Sequence, residues 1–458
     1  MRISFSVFLL FFSHSLFAQS SDYPLAVLLQ RTAQNYPSIK AKQALINAAA
    51  YNVQAARKDY LPDLIVADQY QYATANGLEG SYFSNEGTAI STSGGVHDHN
   101  IYQPLFGSFT TLMINWHAFD FGKTREYVKL AQSRLSLAQA DLSNEIFQQQ
   151  VKVTDAYLLF VLSQKLVAVQ ENNLKRAQAF EEYILSHTRS GLLAGVDSSS
   201  ANAELAKAEL SLLQSRQYVL LQCNNLEQLS GVPADSIRVD TTTFLQKTPI
   251  EYAGNFSLDQ HPGMIYSRQL LQSQTQQLSV IKKSVLPTIN VLGMGWARSS
   301  GVDRSSKAYS SSPAVGLRYQ TYNYMAALAL KWNITSLAKN KQQYLSAAQE
   351  VEASRFRIEE QASRLTTSIK NADLQYQSAL EQTKVAPVQY KAALDAYNLS
   401  NARYKAGLAS LNDVMQAYYV LNRADVDQAV SINNLWRAVL QHAAATGNFT
   451  EFTTQIPQ

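Results

Sequence analysis

Residues 123–190 contain neither glycine nor proline over 68 consecutive positions, and this run constrains the fold more than any other feature of the chain. At about 1.5 Å per residue, an α-helix of that length approaches 100 Å, whereas the usual globular helix has roughly 11–12 residues. Such a helix has to bury its apolar stripe on a partner helix or on a neighbouring chain. Leu130, Leu135, Leu142, Ile146, Val153, Tyr157, Phe160 and Leu174 supply that stripe with mixed spacings that include three, four and seven, as in coiled-coil packing. Gln132, Gln139, Asn144, Gln148, Gln149 and Asn172 keep other faces wettable without fixed charge.

The run occurs within a duplication. Asn35-Tyr36-Pro37-Ser38-Ile39 is answered by Gln260-His261-Pro262-Gly263-Met264, and Arg57 to Pro62 by Lys282 to Pro287, both at an offset of 225. Trp116 matches Trp332, Arg189-Ser190-Gly191-Leu192 matches Lys405-Ala406-Gly407-Leu408, and Asp197 matches Asp413, all at an offset of 216. Repetition at fixed offsets signals a repeated structural unit. The nine-residue difference between the offsets falls in a loop ahead of the tryptophans.

Each half predicts the same order. A first helix, 23–60 or 258–285, ends at a Leu-Pro dipeptide, because proline lacks the amide donor and extends its predecessor. A strand follows, with Leu64, Val66, Tyr70 and Tyr72 on one parity, or Ile289, Val291, Gly293 and Gly295. After a loop rich in Ser, Gly, Asn and Tyr comes a return strand. There Leu112, Ile114, Trp116 and Ala118 alternate with Asn115 and His117, and Leu328, Leu330, Trp332 and Ile334 alternate with Lys331 and Asn333. An ordinary soluble sheet also produces this alternation. A long helix, a Gly-Leu turn and a second helix complete each half, and Pro387 is expected to kink or split the long helix of the second.

The N-terminus reads as a secretory signal peptide, with Arg2, an apolar run from Ile3 to Phe12 and cleavage after Ala18. Cys223 is the only cysteine, so no internal disulfide is available. With 39 basic and 35 acidic residues and no basic block, the chain has no electrostatic footprint for nucleic acid. The 25 tyrosines and only 16% charged residues suit large polar surfaces of low charge.

The signal peptide, the tandem duplication, the Leu-Pro entries and the Gly-Leu turns followed by Asp together resemble the TolC family of outer-membrane efflux ducts. The resemblance implies a mainly α fold with a β-barrel portion. Tandem-duplicated long helical hairpins would form a trimeric α-barrel tunnel, and four transmembrane strands per protomer would build a twelve-stranded barrel. The expected divisions are the signal peptide (1–18), a first structural repeat (19–231), an inter-repeat equatorial segment (232–256), a second repeat (257–447) and a C-terminal tail (448–458).

The function implied is that of a passive exit duct in a tripartite efflux or type I secretion system. It sits in the outer membrane and extends into the periplasm, with a periplasmic adaptor and an inner-membrane pump or exporter as partners. Leu112, Ile114, Trp116, Leu328, Leu330, Trp332 and Ile334 would face lipid, and Asn115, His117, Lys331 and Asn333 the lumen. Gly191, Leu192, Gly407 and Leu408 would dock the adaptor, unless the glycines merely make the turns and the leucines pack locally. The periplasmic gate would involve Asp413, Gln416, Tyr404 and Asp197. Gln416 stands where the family's second acidic residue is expected, and Ala409 where a basic one is. Three copies of Asp413 around an axis would raise one another's proton affinity, while Asp197 and Asp413 also suit helix N-caps.

Neither a nucleophile elbow, a phosphate-binding glycine loop nor a zinc spacing is present, so no enzymatic role and no cofactor are expected. His97-Asp98-His99 in a Gly/Ser-rich loop reads first as solvated side chains and second as a metal site. A periplasmic coiled-coil adaptor or structural protein is the alternative, since it too contains a long helical hairpin, although not a tandem pair with strands suited to lipid.

Overall fold

The computed structural model describes residues 23–74, 76–77, 96–233, 236–237, 239–250 and 256–456. The signal peptide expected over 1–18 and the loop stretch 78–95 lie outside them. The elements, in chain order, are α1 (Leu25–Asn35), α2 (Pro37–Lys58), β1 (Asp63–Ala73), β2 (Leu105–Phe119), α3 (Lys123–Arg189), α4 (Gly195–Ser230) and α5 (Thr241–Gln246). There follow α6 (Pro262–Ser284), β3 (Thr288–Arg298), α7 (Pro313–Gly316), β4 (Thr321–Lys331), α8 (Ser336–Lys405), α9 (Leu411–Thr446) and α10 (Thr450–Thr453).

Three local outcomes differ from the expectations above. The first helix is two helices, because Tyr36 precedes Pro37 and takes extended backbone (ψ 135°), ending α1 and leaving Pro37 to open α2. Pro387 does not split the second long helix, and α8 continues through it for 70 residues. One proline costs about 3 kcal/mol in a helix interior, which packing along so long a helix outweighs. Strand β4 ends at Lys331, so Trp332, Asn333 and Ile334 lie beyond it. Asn333 redirects the chain, its Oδ1 accepting from the Ser336 amide (3.2 Å) and from Thr335 Oγ1 (2.8 Å), so its side chain serves the start of α8.

The described chain divides into two compact units. One comprises Ile46–Leu137 and Gln269–Arg355 and contains the sheet, an antiparallel meander in the order β1-β2-β3-β4. Its register pairs Leu64 with Ile114, Val66 with Leu112, Val291 with both Trp116 and Leu328, and Ile289 with Leu330. Since the side-chain period is two, these residues share one face with Tyr70, Tyr72, Tyr322 and Tyr324. The other face carries Asn115, His117 and Lys331, together with Ile65, Met113, Leu292, Met294 and Trp296. It is therefore mixed rather than polar, because Ile65 of β1, Met113 of β2 and Leu292, Met294 and Trp296 of β3 add apolar side chains. The indole of Trp116 donates to the Tyr60 carbonyl and that of Trp332 to the Val285 carbonyl, each at 3.0 Å. Trp116, near the end of β2, and Trp332, just past β4, thus each tie the end of a return strand to the Leu-Pro corner of its own half.

The second unit comprises the described residues within Met1–Leu45, Ala138–Arg268 and Phe356–Gln458. In its larger core, Phe244 of α5 meets Tyr157 of α3 and Trp436 of α9 edge-on at ring separations of 5.5 and 4.9 Å, and Phe452 of α10 meets Trp436 at 6.0 Å. The Trp436 indole donates to the Lys247 carbonyl (3.1 Å), and the Asp240 amide donates to the Tyr157 hydroxyl (2.9 Å). The segment between the repeats and the C-terminal helix are thereby built into one core with α1, α3 and α9. A smaller core of Ala177, Ile184, Ala201, Ala208, Ala393, Tyr397, Tyr404, Val414, Tyr418, Leu421 and Ala424 binds α3, α4, α8 and α9 into a four-helix cluster near the two turns.

Candidate functional site: the helical turns

Both turns adopt the same helix stop. Gly191 has φ +75° and Gly407 φ +72°. In the first, the Gly191 amide donates to the Thr188 carbonyl (3.0 Å) and the Leu192 amide to His187 (2.9 Å). In the second, Gly407 donates to Tyr404 (2.9 Å) and Leu408 to Arg403 (2.8 Å). This is a Schellman motif, which satisfies two orphan carbonyls and requires a left-handed residue at its centre. A Cβ built on either glycine would meet nothing within 4 Å, so conformation alone demands glycine within the protomer. The leucines do not pack locally: Leu192 is 71% exposed and Leu408 68%. Leaving two leucines at matching positions this open is unfavourable unless something covers them.

The acidic residues sit three positions beyond the N-caps, not at them. The caps are Ala194 for α4 and Ser410 for α9. Asp413 completes a capping box. Its Oδ2 accepts from the Ser410 amide (2.9 Å) and hydroxyl (2.8 Å), while its own amide donates to Ser410 Oγ (3.3 Å). Those bonds, with a smaller contribution from Arg403, hold the Asp413 carboxyl below the usual carboxylate range. Within one protomer the shift is thus opposite to that of a like-charge ring. Asp197 occupies the equivalent position of α4, but the methyl group of Ala194 can accept no hydrogen bond to reciprocate. Gln416 is exposed one turn after Asp413.

Tyr404 is buried between the rings of Phe180 and Tyr183, at 6.0 and 6.3 Å. Its hydroxyl makes no hydrogen bond, and burial, then the Asp197 charge, raise its pKa. Tyr404 and Asp197 are therefore brought close without a direct link. Beneath them lies a polar layer that single-residue reading missed. Arg176 faces Asp425 at 3.8 Å, the Tyr418 hydroxyl donates to the Asn173 carbonyl (3.2 Å), and the Tyr419 hydroxyl donates to Glu204 (2.5 Å). Burial pushes the Asp425 carboxyl up and the Tyr419 hydroxyl to about 12. The available signal was Arg176 and Asp425 interrupting otherwise apolar helical stripes.

Of the residues expected to face lipid, Leu112, Ile114, Trp116, Leu328 and Leu330 lie on the shared apolar face and are exposed. Trp332 and Ile334 are exposed beyond the strand. His97 shares a hydrogen bond with the Tyr309 hydroxyl (2.8 Å), and no cluster of three or more metal-ligating side chains occurs among the described residues.

A family model described as outer membrane efflux protein matches residues 28–232 and 255–448. The chain belongs to the outer membrane efflux protein family. No individually curated protein sequence matches it, but solved structures do. The outer membrane protein VceC from Vibrio cholerae is 18% identical with a TM-score of 0.72, over 92% of this chain and 96% of that one. CusC is 12% identical with a TM-score of 0.77, over 93% and 92%. The Campylobacter jejuni CmeC outer membrane channel is 14% identical with a TM-score of 0.72, over 95% and 90%. As a member of the outer membrane efflux protein family, the chain is an outer-membrane channel component rather than an enzyme, and its mainly helical fold is that of these channels.

Proposed function

We propose that three copies of this outer membrane efflux protein form a passive exit duct that receives cargo from an inner-membrane pump or exporter through a periplasmic adaptor. The observation that carries this reading is the sheet. It has four strands, a face that is apolar or aromatic except at Asp68, Ser108 and Thr110, and edges at β1 and β4 that pair with nothing among the described residues. Strands β1, β3 and β4 have 11 residues each, the length of a tilted strand crossing a bilayer. In lipid an open edge leaves amides and carbonyls without partners, so only a closed barrel is tolerable. Four strands are too few to close alone, as membrane barrels start at about eight.

The helices favour the same assembly. On α4, Ala203, Ala206, Leu210, Leu213 and Leu220 form an exposed row at heptad spacing, and on α8 so do Leu374, Val385, Val388, Ala392 and Leu399. Such rows are coiled-coil seams without a partner in the protomer, and a second copy supplies one. The divisions inferred from sequence are carried into this proposal: repeats at 19–231 and 257–447, each giving one strand pair and one long hairpin. Extraction from outer membranes in detergent is expected to yield a trimer-sized particle by light scattering. A soluble monomer would overturn the duct.

At the tip, Gly191, Leu192, Gly407 and Leu408 are proposed to receive the adaptor, and Asp413, Gln416, Tyr404 and Asp197 to form the gate. Asp413→Ala is expected to lower cation preference in planar-bilayer conductance, since rings of carboxylates favour cations. Because the folded pKa of Asp413 is depressed, wild-type preference should persist as pH falls through the ordinary aspartate range, near 3.9. It should fade only below that range, as the carboxyl protonates. Unchanged selectivity in the variant would remove the gate assignment and leave the duct intact.

A further inference from the structure

Near the turns, α3 and α8 line a solvent-open pocket of about 270 Å³, formed by Lys175, Arg176, Ala179, Phe180, Tyr183, Tyr397, Asn401 and Lys405. Three cations line it and no carboxylate does. Among the described residues, Asp425 from α9 is the acid within ion-pair distance of Arg176, at 3.8 Å, which is too long for a hydrogen bond. Lys405 reaches only the face of Tyr183, at 5.3 Å. The local excess of positive charge is therefore built into the cavity wall.

Polar groups around the cavity are also left over. Arg176 Nε and Nη2, Asn401 Oδ1 and the Tyr404 hydroxyl are buried without hydrogen-bond partners, as are Asn173 Oδ1 and Asn422 Oδ1 on the adjoining stripes of α3 and α9. Six of the 14 such atoms among the described residues thus gather in this one layer. Three of the six are donors, Arg176 Nε and Nη2 and the Tyr404 hydroxyl, and three are amide oxygens that accept. Of these residues only Arg176 and Asn401 line the cavity itself, and the two guanidinium donors call for a group that accepts hydrogen bonds. The remaining walls are aromatic. Phe180, Tyr183 and Tyr397 offer ring surfaces, with Ala179 beside them.

We propose that this cavity binds a small planar aromatic anion, a carboxylate on a ring, with the ring among Phe180, Tyr183 and Tyr397 and the charge on Arg176, Lys175 and Lys405. The guanidinium is suited to a carboxylate, since its fork matches the two oxygens. The ligand would join α3 of the first half to α8 of the second, acting as a cross-tie between the two hairpins. Binding stands independently of the duct reading, because it requires only the folded cluster of helices.

Benzoate and its neutral amide, benzamide, are the probes, titrated calorimetrically into the purified protein at an ionic strength of about 0.01 M, where screening is weak. Benzoate is expected to bind and to raise the denaturation temperature, and benzamide to bind at least about tenfold more weakly, as loss of a charge partner implies. Replacing Lys175→Gln and Lys405→Gln together, both exposed and removable without disturbing the core, should lower benzoate affinity about tenfold and leave the denaturation temperature of the ligand-free protein unchanged. Equal binding of benzoate and benzamide, or undiminished benzoate affinity in the double variant, would overturn the anion site. Inorganic phosphate binding as tightly as benzoate would overturn the aromatic requirement. No benzoate heat from the intact assembly, as when a neighbouring copy's carboxylate fills the pocket, would overturn the small-molecule assignment.

Discussion

Replacing Leu192 and Leu408 together by aspartate is expected to abolish export while leaving the assembled protein in the outer membrane. Both side chains are more than two-thirds exposed, so their loss removes little from the folded protomer, and surface changes of this kind stay within about 0.5 kcal/mol. On a docked adaptor each leucine would contribute about 1.5–3 kcal/mol through burial, and aspartate in its place would add the cost of desolvating a charge. Two sites per protomer act together, so the double variant should reduce cargo-dependent growth to that of cells lacking the duct, when expressed with its adaptor and pump. Undiminished export at normal outer-membrane levels would refute the docking role.

The second large effect concerns stability. Trp436→Ala should lower it by about 3–5 kcal/mol, the range for removing a large aromatic from a core. Trp436 is 2% exposed and meets rings from both the inter-repeat helix α5 and the C-terminal helix α10. Its truncation therefore unpacks both segments at once. Trp436→Phe keeps most of the packing and loses the hydrogen bond to the Lys247 carbonyl, so it should cost only about 0.5–1.5 kcal/mol. Thermal denaturation followed by circular dichroism orders the two variants. Equal shifts would show that the indole hydrogen bond, rather than the ring packing, holds these segments.

Long-range order was legible where one residue type speaks for many positions. The absence of glycine and proline from 123–190 announced α3, which ends one residue earlier, at Arg189, and Gly191 and Gly407 marked turns that need positive φ. Reading failed where the outcome depended on a neighbour. Asp197 and Asp413 look like N-caps, but the capping position belongs to Ala194 and Ser410, three residues earlier. Ile334 fits a period of two, yet Asn333 spends its side chain on the start of α8 and ends the alternation. The cavity at Arg176 was out of reach for a different reason. Lys175 and Lys405 are 230 residues apart, and only packing brings α3 against α8.

The helix starts after the two turns carry one further consequence. Ser410 and Asp413 lock the start of α9 reciprocally, whereas Ala194 leaves α4 with Asp197 alone. A substituted cap typically costs about 0.5–2 kcal/mol, so the first hairpin frays more readily than the second. A ring of three protomers would then present six tips of alternating stiffness, and its apparent sixfold symmetry would be threefold in mechanics. An adaptor meeting that ring would find two unequal kinds of seat, and the softer seats, at Gly191 and Leu192, would reshape first.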